Sequence, residues 1–374
     1  MHDLRRLARR RLPRGVFDYI DGGAEDERAL AANVDAFARV VLKPRVLRDV
    51  STIDLTTTLL GRPLPLPLVL GPTGFTRIAS AGGELDVARA AHRAALPYTL
   101  STLGTRSIED VRAASSGPLW FQVYVWRDRG LVADMVRRAH EAGYEALMVT
   151  VDTAVLGRRE RDVRRGFTLP PKVGLRTLLD GAAHPSWTLE FLQSEPIRFA
   201  NVSGASAEDG STAVSLADYV NRQFDPALSW RDLEWFRSIW NGPIILKGIQ
   251  SVDDARLAAD AGIDAVSLSN HGGRQLDAAP AIYDLVAPVA DAVGDRVEII
   301  CDGGVRRGSD IVKALAAGAR ACSIGRAYLY GLGAAGERGV DHVLQLLRAD
   351  MQRTMALIGV ASVDDLHPGL VGDG

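Results

Sequence analysis

The densest cluster of polar side chains in the sequence is the run Ser269-Asn270-His271-Gly272-Gly273-Arg274-Gln275. An imidazole exchanges a proton near neutral pH, and a planar guanidinium binds a carboxylate through two parallel hydrogen bonds. A lone histidine is more often a structural hydrogen-bonding group, but the nearby arginine and glycines favour a catalytic one. The run therefore predicts a site for a substrate whose reacting carbon lies next to a carboxylate.

Two further loops combine glycine with arginine and predict an anion site. The first is Asp302-Gly303-Gly304-Val305-Arg306-Arg307-Gly308, and the second is Gly325-Arg326. Glycine lets backbone N–H groups approach an anion, and arginine supplies the opposite charge. The alternative is that the glycines only form tight turns and the arginines only face solvent.

Lys247 ends the apolar run 244–246, which would place its ammonium group near His271. There it would stabilise a developing negative charge, form a Schiff base, or pair with an acid. Gln122 and Tyr124 are two residues apart on another apolar run, so both face one side of a strand. They would present an amide and a phenol to one ligand.

The chemistry-bearing residues follow short apolar runs that alternate with helical patterns from residue 64 onward. This rhythm predicts repeated βαβ units. Eight candidate strands, without a Gly-x-Gly-x-x-Gly turn after the first, favour a closed TIM (β/α)₈ barrel over an open sheet. In such a barrel the chemistry lies at the C-terminal strand ends. The candidate strands are 66–70, 98–100, 119–123, 146–151, 244–247, 265–269, 298–301 and 321–324.

We expect one domain over residues 1–374, with a helical N-terminal segment over 1–63, a barrel over 64–333 and a C-terminal helix and tail over 334–374. A stretch of about 60 residues, about 170–229, has no clear periodicity. Its position after the fourth strand predicts a long insert that acts as a lid or an interaction loop. Six arginines between Arg5 and Arg14 predict a solvated helix face, with contact to an anionic membrane as the alternative.

Composition excludes several classes of protein. Hydrophobic residues make up 47% of the 374 residues, as expected for a globular protein, and the net charge of −2 gives no reason to expect a nucleic-acid partner. Two cysteines, Cys301 and Cys322, exclude a disulfide scaffold and indicate a reducing compartment. No apolar run is long enough to span a membrane, and no metal site is expected.

From Leu12 to about Leu366, the sequence resembles the FMN-dependent L-2-hydroxyacid dehydrogenases and oxidases. This family includes glycolate oxidase, lactate oxidase, mandelate dehydrogenase and bacterial respiratory L-lactate dehydrogenase. The run at 269–275 is the most specific motif, and the run at 302–308 supports it. The resemblance implies two-electron oxidation of an (S)-2-hydroxy acid to a 2-oxo acid with FMN as the cofactor.

The resemblance also assigns roles to single residues. His271 would be the base and Asp152 its partner, Tyr124 would contact the substrate hydroxyl, and Lys247 would lie near N1 and O2 of the flavin.

The remaining assignments concern binding. The substrate carboxylate would be bound by Tyr19, Arg159 and Arg274. The FMN-binding residues implied are Pro72, Thr73, Gly74, Ser101, Gln122, Thr150, Lys247, Ser269, Asp302, Gly304, Arg306, Gly325 and Arg326.

Within the family, the long insert and the segments 121–129 and 221–230 are similar to respiratory lactate dehydrogenases, which implies L-lactate as substrate and quinone as acceptor. Leu103 and Gly74 leave room for a mandelate-type substrate, with O₂ as the alternative acceptor. The resemblance further implies a homotetramer, and the insert and N-terminal arginines imply a cytoplasmic protein on the inner face of the cell membrane. A Schiff-base lyase using Lys247 and a catalytically inactive barrel are the remaining alternatives.

Overall fold

The computed structural model describes residues 1–165, 175–202 and 223–374. At its centre lies a closed barrel of eight parallel strands, in which strand 8 pairs with strand 1. The predicted TIM barrel and its eight strands are confirmed. Numbered in chain order, barrel strands 1 to 8 are Leu68–Leu70, Tyr98–Ser101, Leu119–Tyr124, Ala146–Thr150, Ile244–Ile249, Ala265–Leu268, Glu298–Asp302 and Ala321–Ile324.

Successive side chains along each barrel strand point alternately into two hydrophobic cores. Val69, Trp120, Met148, Ile245 and Ile300 pack together inside the barrel, whereas their neighbours along each strand pack against the surrounding helices. This follows from the two-residue period of a strand, because both faces of a barrel strand are buried. The outer helices are Glu84–Arg93, Ile108–Ala114, Arg129–Glu141, Asp232–Ile239, Val252–Asp260, Tyr283–Val293, Gly308–Ala316 and Arg326–Ile358.

The N-terminal end of the barrel is closed by an antiparallel hairpin, Thr57–Leu59 and Arg62–Leu64. Leu59 and Leu64 of this hairpin pack on the inner core of the barrel. The opposite, C-terminal end of the barrel is therefore the end at which a cavity can form.

Three helices precede the barrel: His2–Arg11, Arg14–Asp21 and Arg28–Arg39. The first packs along the C-terminal helix Arg326–Ile358. That helix begins directly after barrel strand 8 and contains a break at Ala335 and Gly336, so it is longer than the predicted helix after residue 333. A short strand, Val40–Leu42, pairs antiparallel with Val371–Asp373 and joins the two ends of the chain.

The insert differs from its prediction, because it contains regular structure. Two helices, Leu175–Ala183 and Pro185–Gln193, lie within the segment that shows no periodicity. The second begins with a proline at its first turn and is fixed by the Trp187 indole, which donates to the carbonyl of Ile78 at 2.8 Å. Such tertiary contacts leave no periodic signal. Residues 170–174 and 203–222 of the predicted insert lie outside the described residues.

None of the helices in the described ranges combines the length and the apolar character needed to cross a membrane.

Candidate active site

A cavity of about 470 Å³ lies at the C-terminal ends of the barrel strands, within the size range of small-molecule sites. The structure brings most of the predicted site residues to its wall. Three of them, Ser101, Asp152 and Ser269, lie behind that wall and contact residues that line it. The predicted residues on the wall are Tyr19, Pro72, Thr73, Gly74, Gln122, Tyr124, Thr150, Arg159, Lys247, His271, Arg274, Asp302, Gly304, Arg306, Gly325 and Arg326.

His271 is held between an acid and a phenol. Its Nδ1 atom lies 3.1 Å from Oδ1 and 3.2 Å from Oδ2 of Asp152, and its Nε2 atom lies 3.5 Å from the Tyr124 hydroxyl. Burial alone would raise the pKa of Asp152, but the charges of His271 and Lys247 and the His271 hydrogen bond lower it below its ordinary value. Asp152 is thus held as an ionised hydrogen-bond partner of the His271 imidazole.

The loop that carries His271 has an uncommon backbone. His271, Gly272 and Gly273 have consecutive φ values of +58°, +66° and +72°, a region that glycine adopts readily and histidine does not. A Cβ atom at Gly273 would overlap the backbone nitrogen of Leu30, so the loop packs tightly on the helix Arg28–Arg39. The strained conformation of His271 is therefore imposed by its surroundings, as is common at active sites.

A pair of buried amides connects the same loop to the N-terminal helices. Asn33 Nδ2 donates to Asn270 Oδ1 at 2.8 Å, and Asn270 Nδ2 donates to Asn33 Oδ1 at 3.0 Å. Asn270 Oδ1 also accepts from the backbone of Gly273 at 2.9 Å. Asn33 was not predicted, because it is 237 residues from Asn270 in the chain. The pair fixes the loop that positions His271.

Lys247 is a buried cation. Its Nζ atom lies 2.9 Å from Asp302 Oδ2 and donates to Ser269 Oγ at 2.9 Å. Burial lowers the pKa of Lys247, but the negative charges of Asp302 and Asp152 outweigh this and raise it above its ordinary value. Because Schiff-base formation requires a neutral amine, this environment disfavours the lyase alternative and favours stabilisation of negative charge.

Two arginines flank one tyrosine on the wall beside His271. The guanidinium carbon of Arg159 lies 5.3 Å from the centre of the Tyr19 ring, and that of Arg274 lies 5.0 Å from it. Arg274 Nη1 donates to the backbone carbonyls of Tyr19 and Gly22 at 2.8 and 2.9 Å. Burial and the charge of Arg159 lower the pKa of Arg274. Two guanidinium groups thus lie beside one ring on the cavity wall, an arrangement that suits an anion.

A chain of buried hydrogen bonds crosses barrel strands 2 to 4. Ser101 Oγ donates to Gln122 Oε1 at 2.9 Å, and Gln122 Nε2 donates to Thr150 Oγ1 at 2.8 Å. The three residues are brought together by the register of the strands, in which Ser101 pairs with Gln122. This chain fixes the orientation of the Gln122 amide at the cavity wall.

In the two loops predicted to bind an anion, glycine and arginine also have structural roles. A Cβ atom at Gly304 would overlap the carbonyl oxygen of Asn33, so packing on the N-terminal helix already requires glycine there. Arg326 donates to the carbonyls of Ile20, Gly22 and Gly272 at 3.1, 2.7 and 2.8 Å. Burial lowers the pKa of Arg326 to about 9. Arg326 thus fixes the end of the helix Arg14–Asp21 against the His271 loop.

The cavity wall also contains residues that the sequence analysis missed. Phe199 and Phe224 come from either side of the undescribed stretch 203–222. The ring of Phe199 makes an edge-on contact with Phe75 at 4.5 Å, and the ring of Phe224 makes one with Tyr124 at 5.2 Å. Asp162 lies beside Arg159. The sequence signal for Asp162 was its position three residues after a predicted substrate-binding arginine, whereas no local signal marks the two phenylalanines.

Residues 8–373 match the sequence pattern of the FMN-dependent dehydrogenases. The chain belongs to this family. Among its relatives, it is 47% identical to a putative L-lactate dehydrogenase of Mycobacterium tuberculosis, over 98% of this chain and 87% of the relative. It is 44% identical to the L-lactate dehydrogenase of Caulobacter vibrioides, over 99% and 97% of the two chains. The predicted family is confirmed.

This FMN-dependent dehydrogenase is also similar to enzymes named for mandelate. It is 43% identical to the (S)-mandelate dehydrogenase of Pseudomonas putida, over 98% of this chain and 92% of the relative. A crystal structure of a monotopic membrane protein, (S)-mandelate dehydrogenase, superposes with a TM-score of 0.95 at 42% identity, covering 100% of this chain and 98% of that one.

The cavity residues of this FMN-dependent dehydrogenase fit FMN. Ser323 Oγ lies on the cavity wall, is buried, and has no hydrogen-bond partner within the described part of the chain. The oriented Gln122 amide and the Lys247 cation are further donors for a polar ring system, and Arg306 lies on the same wall for a phosphate. When bound, FMN supplies a group that accepts two electrons.

Proposed function

We propose that the protein oxidises an (S)-2-hydroxy acid to the corresponding 2-oxo acid, with L-lactate to pyruvate as the leading candidate reaction. The observation that carries the proposal is the position of His271 beside the Arg159–Tyr19–Arg274 cluster in one cavity. A base next to two carboxylate-binding cations matches a substrate whose reacting carbon is adjacent to a carboxylate.

In this proposal the two arginines and Tyr19 bind the substrate carboxylate. Two-point binding fixes the 2-carbon and its hydroxyl relative to His271, and such positioning is a large part of catalysis. Tyr124 donates a hydrogen bond to the substrate hydroxyl. Burial raises the pKa of Tyr124 well above its ordinary value, so the phenol stays protonated and remains a donor.

His271 accepts a proton from the substrate, and Asp152 stabilises the imidazolium that results. The direction of the pKa shift of Asp152 supports this, because a carboxylate that stays ionised favours the charged imidazole. The same general base serves whether it removes the carbon-bound proton or the hydroxyl proton.

The FMN-binding residues are those assigned by resemblance. The 72–74 backbone, Gln122 and Thr150 would contact the ring and ribityl chain, supported from behind by Ser101 and Ser269. Lys247, paired with Asp302, would lie near N1 and O2 and stabilise negative charge there. Gly304, Arg306, Gly325 and Arg326 would hold the phosphate.

A mandelate-type acid is the second candidate substrate, and one feature favours it. A Cβ atom at Gly74 would lie 3.1 Å from Cβ of Leu103, so glycine at this position leaves space beside the leucine. Phe75 and Phe199 extend the apolar wall. Steady-state rates with L-lactate and (S)-mandelate, measured with an artificial electron acceptor, will decide between the two; inactivity with both would refute the reaction class.

We further propose a quinone as the physiological electron acceptor, with O₂ as the alternative, and a homotetramer on the cytoplasmic face of the cell membrane. Leu179, Leu189 and Leu192 in the insert helices support the membrane contact, because their side chains are exposed. In cell fractionation, serine at these three positions should move the protein from the membrane to the soluble fraction. A wild-type protein found only in the soluble fraction would contradict this contact.

A further inference from the structure

Asp162 is a buried acid on the wall of the carboxylate-binding cavity. Its side chain is only 11% exposed, and its Oδ2 atom lies 3.3 Å from Nε of Arg159. An acid is unexpected here, because it carries the same charge as the carboxylate that the proposed function brings to the cavity. Its presence therefore needs an explanation other than direct substrate binding.

The neighbouring charges identify Arg159 as the residue that Asp162 acts on. Burial raises the pKa of Asp162 above its ordinary value, while the charges of Arg159 and Arg274 act in the opposite direction. The charges of Asp18 and Arg161 contribute less to the pKa of Asp162. Within the described ranges, Asp162 is the carboxylate that pairs with Arg159.

Arg159 needs such a partner, because it faces a second cation. Arg159 and Arg274 both lie close to the Tyr19 ring, the charge of Arg159 lowers the pKa of Arg274, and Arg274 is fixed by two backbone carbonyls. The side chain of Arg159 is 30% exposed, so it has solvent into which it can turn. Repulsion between the two guanidinium groups favours that movement, and the charge of Asp162 opposes it.

The short helix Glu160–Arg165 that carries Asp162 is itself held in place. Arg161, the preceding residue, lies 3.0 Å from Asp21 and also pairs with Glu27, which ties the helix to the N-terminal part of the chain. The position of Asp162 is thus fixed, so its carboxylate can hold the flexible side chain of Arg159.

We propose that Asp162 is a positioning residue that holds Arg159 in its carboxylate-binding orientation. The inference rests on the proposed function and assigns a residue to it that acts through Arg159. Its consequence is a division of roles: Arg274 is held by backbone carbonyls, and Arg159 is held by the charge of a neighbouring acid.

The test uses the FMN-loaded enzyme and the isosteric Asp162→Asn variant. We expect the KM for the 2-hydroxy acid to rise about tenfold while kcat changes less than about threefold, because an interaction used equally in the ground and transition states is lost. The 2-hydroxy amide of the same acid has no carboxylate, so its KM should not change. Asp162→Glu, which restores the charge, should recover part of the loss.

Three controls separate positioning from a general structural role. Glu160→Gln alters an acid of the same helix that pairs with Arg164 at 2.6 Å, away from the cavity, and should leave KM unchanged. In an Arg159→Ala background, Asp162→Asn should cause no further rise. Asp162→Ser is a second neutral variant if the Asn variant fails to accumulate with FMN.

An unchanged or lower KM for the acid in the neutral variants would overturn the inference, since a lower value means that Asp162 only repels the substrate. An equal rise for acid and amide, or additive effects with Arg159→Ala, would also overturn it. These results differ from failure of the proposed function, in which the wild-type enzyme itself oxidises no 2-hydroxy acid.

Discussion

Both carboxylate oxygens of Asp152 face a single ring nitrogen of His271, at 3.1 and 3.2 Å from Nδ1. The pairing favours a proton on Nδ1 and leaves Nε2 as the ring nitrogen that would accept one in the proposed reaction. Since Nε2 points toward the Tyr124 hydroxyl at 3.5 Å, the reacting atoms of the substrate are expected between these groups. The site thus has one base with a fixed direction.

The first prediction concerns the base. His271→Gln should reduce kcat by about 10²-fold or more, because a positioned general base typically contributes about 10²–10⁴. The variant should keep its yellow cofactor, since His271 faces the substrate and the proposed flavin contacts are made by other residues. Absorption spectra and steady-state rates measure both effects. Loss of FMN from this variant would mean that the base is wrongly placed.

The second prediction concerns its partner. Asp152→Asn should keep the shape of the site but reduce kcat/KM by about 10²–10⁴, because a neutral amide neither fixes the tautomer nor stabilises the imidazolium. Flavin content should match that of the wild type. Activity within about threefold of the wild type would rule out the assigned role.

The third prediction concerns carboxylate binding. Arg274→Lys should raise the KM for 2-hydroxy acids by about 10–100-fold, since lysine cannot make a planar two-point contact and loses the bonds to Tyr19 and Gly22. Arg164→Lys is the control, because the side chain of Arg164 is 75% exposed and does not line the cavity. If both variants have the KM of the wild type, the substrate carboxylate is bound elsewhere.

The fourth prediction concerns stability and pH. Asp21 is buried, which would raise its pKa, but hydrogen bonds from Arg5 and Tyr330 and the charge of Arg5 lower it to about 2. A folded-state pKa below the unfolded value of 3.8 stabilises the fold above that value, and the stabilisation is lost as the pH falls through about 2.

Asp21→Asn should therefore lower the free energy of unfolding by about 2 kcal/mol at pH 7, and by less at pH 3. Urea unfolding of the holoenzyme at the two pH values measures the difference. Asp3→Asn, at an exposed ion pair with Arg6, should have no comparable effect. A pH-independent loss for Asp21→Asn would contradict the argument.

The barrel was predictable because its signals are local. Each strand is a short apolar run, each is followed by polar or glycine residues, and a closed barrel brings all those ends together. These local signals were sufficient to predict that Lys247, His271 and Gln122 lie at the cavity. Their roles needed the family resemblance, because a lysine at a strand end has three chemically reasonable functions.

The parts that were missed depend on distant contacts. Asn33 acts through its pairing with Asn270, which is distant in the chain, and Phe224 contacts Tyr124 from the far end of the insert. The helix Pro185–Gln193 depends on anchors such as Glu190, whose Oε1 accepts from Ser80 Oγ at 2.8 Å. Periodicity within a segment cannot show such partners.

The most direct test of the proposed function is the visible spectrum of the purified protein during anaerobic titration with L-lactate, followed by (S)-mandelate. We expect flavin absorption bands that bleach with at least one of these acids, that do not bleach with the corresponding D or (R) enantiomer, and that bleach far more slowly in His271→Gln. Bands that persist with every 2-hydroxy acid, or a borohydride-trapped adduct on Lys247, would contradict it.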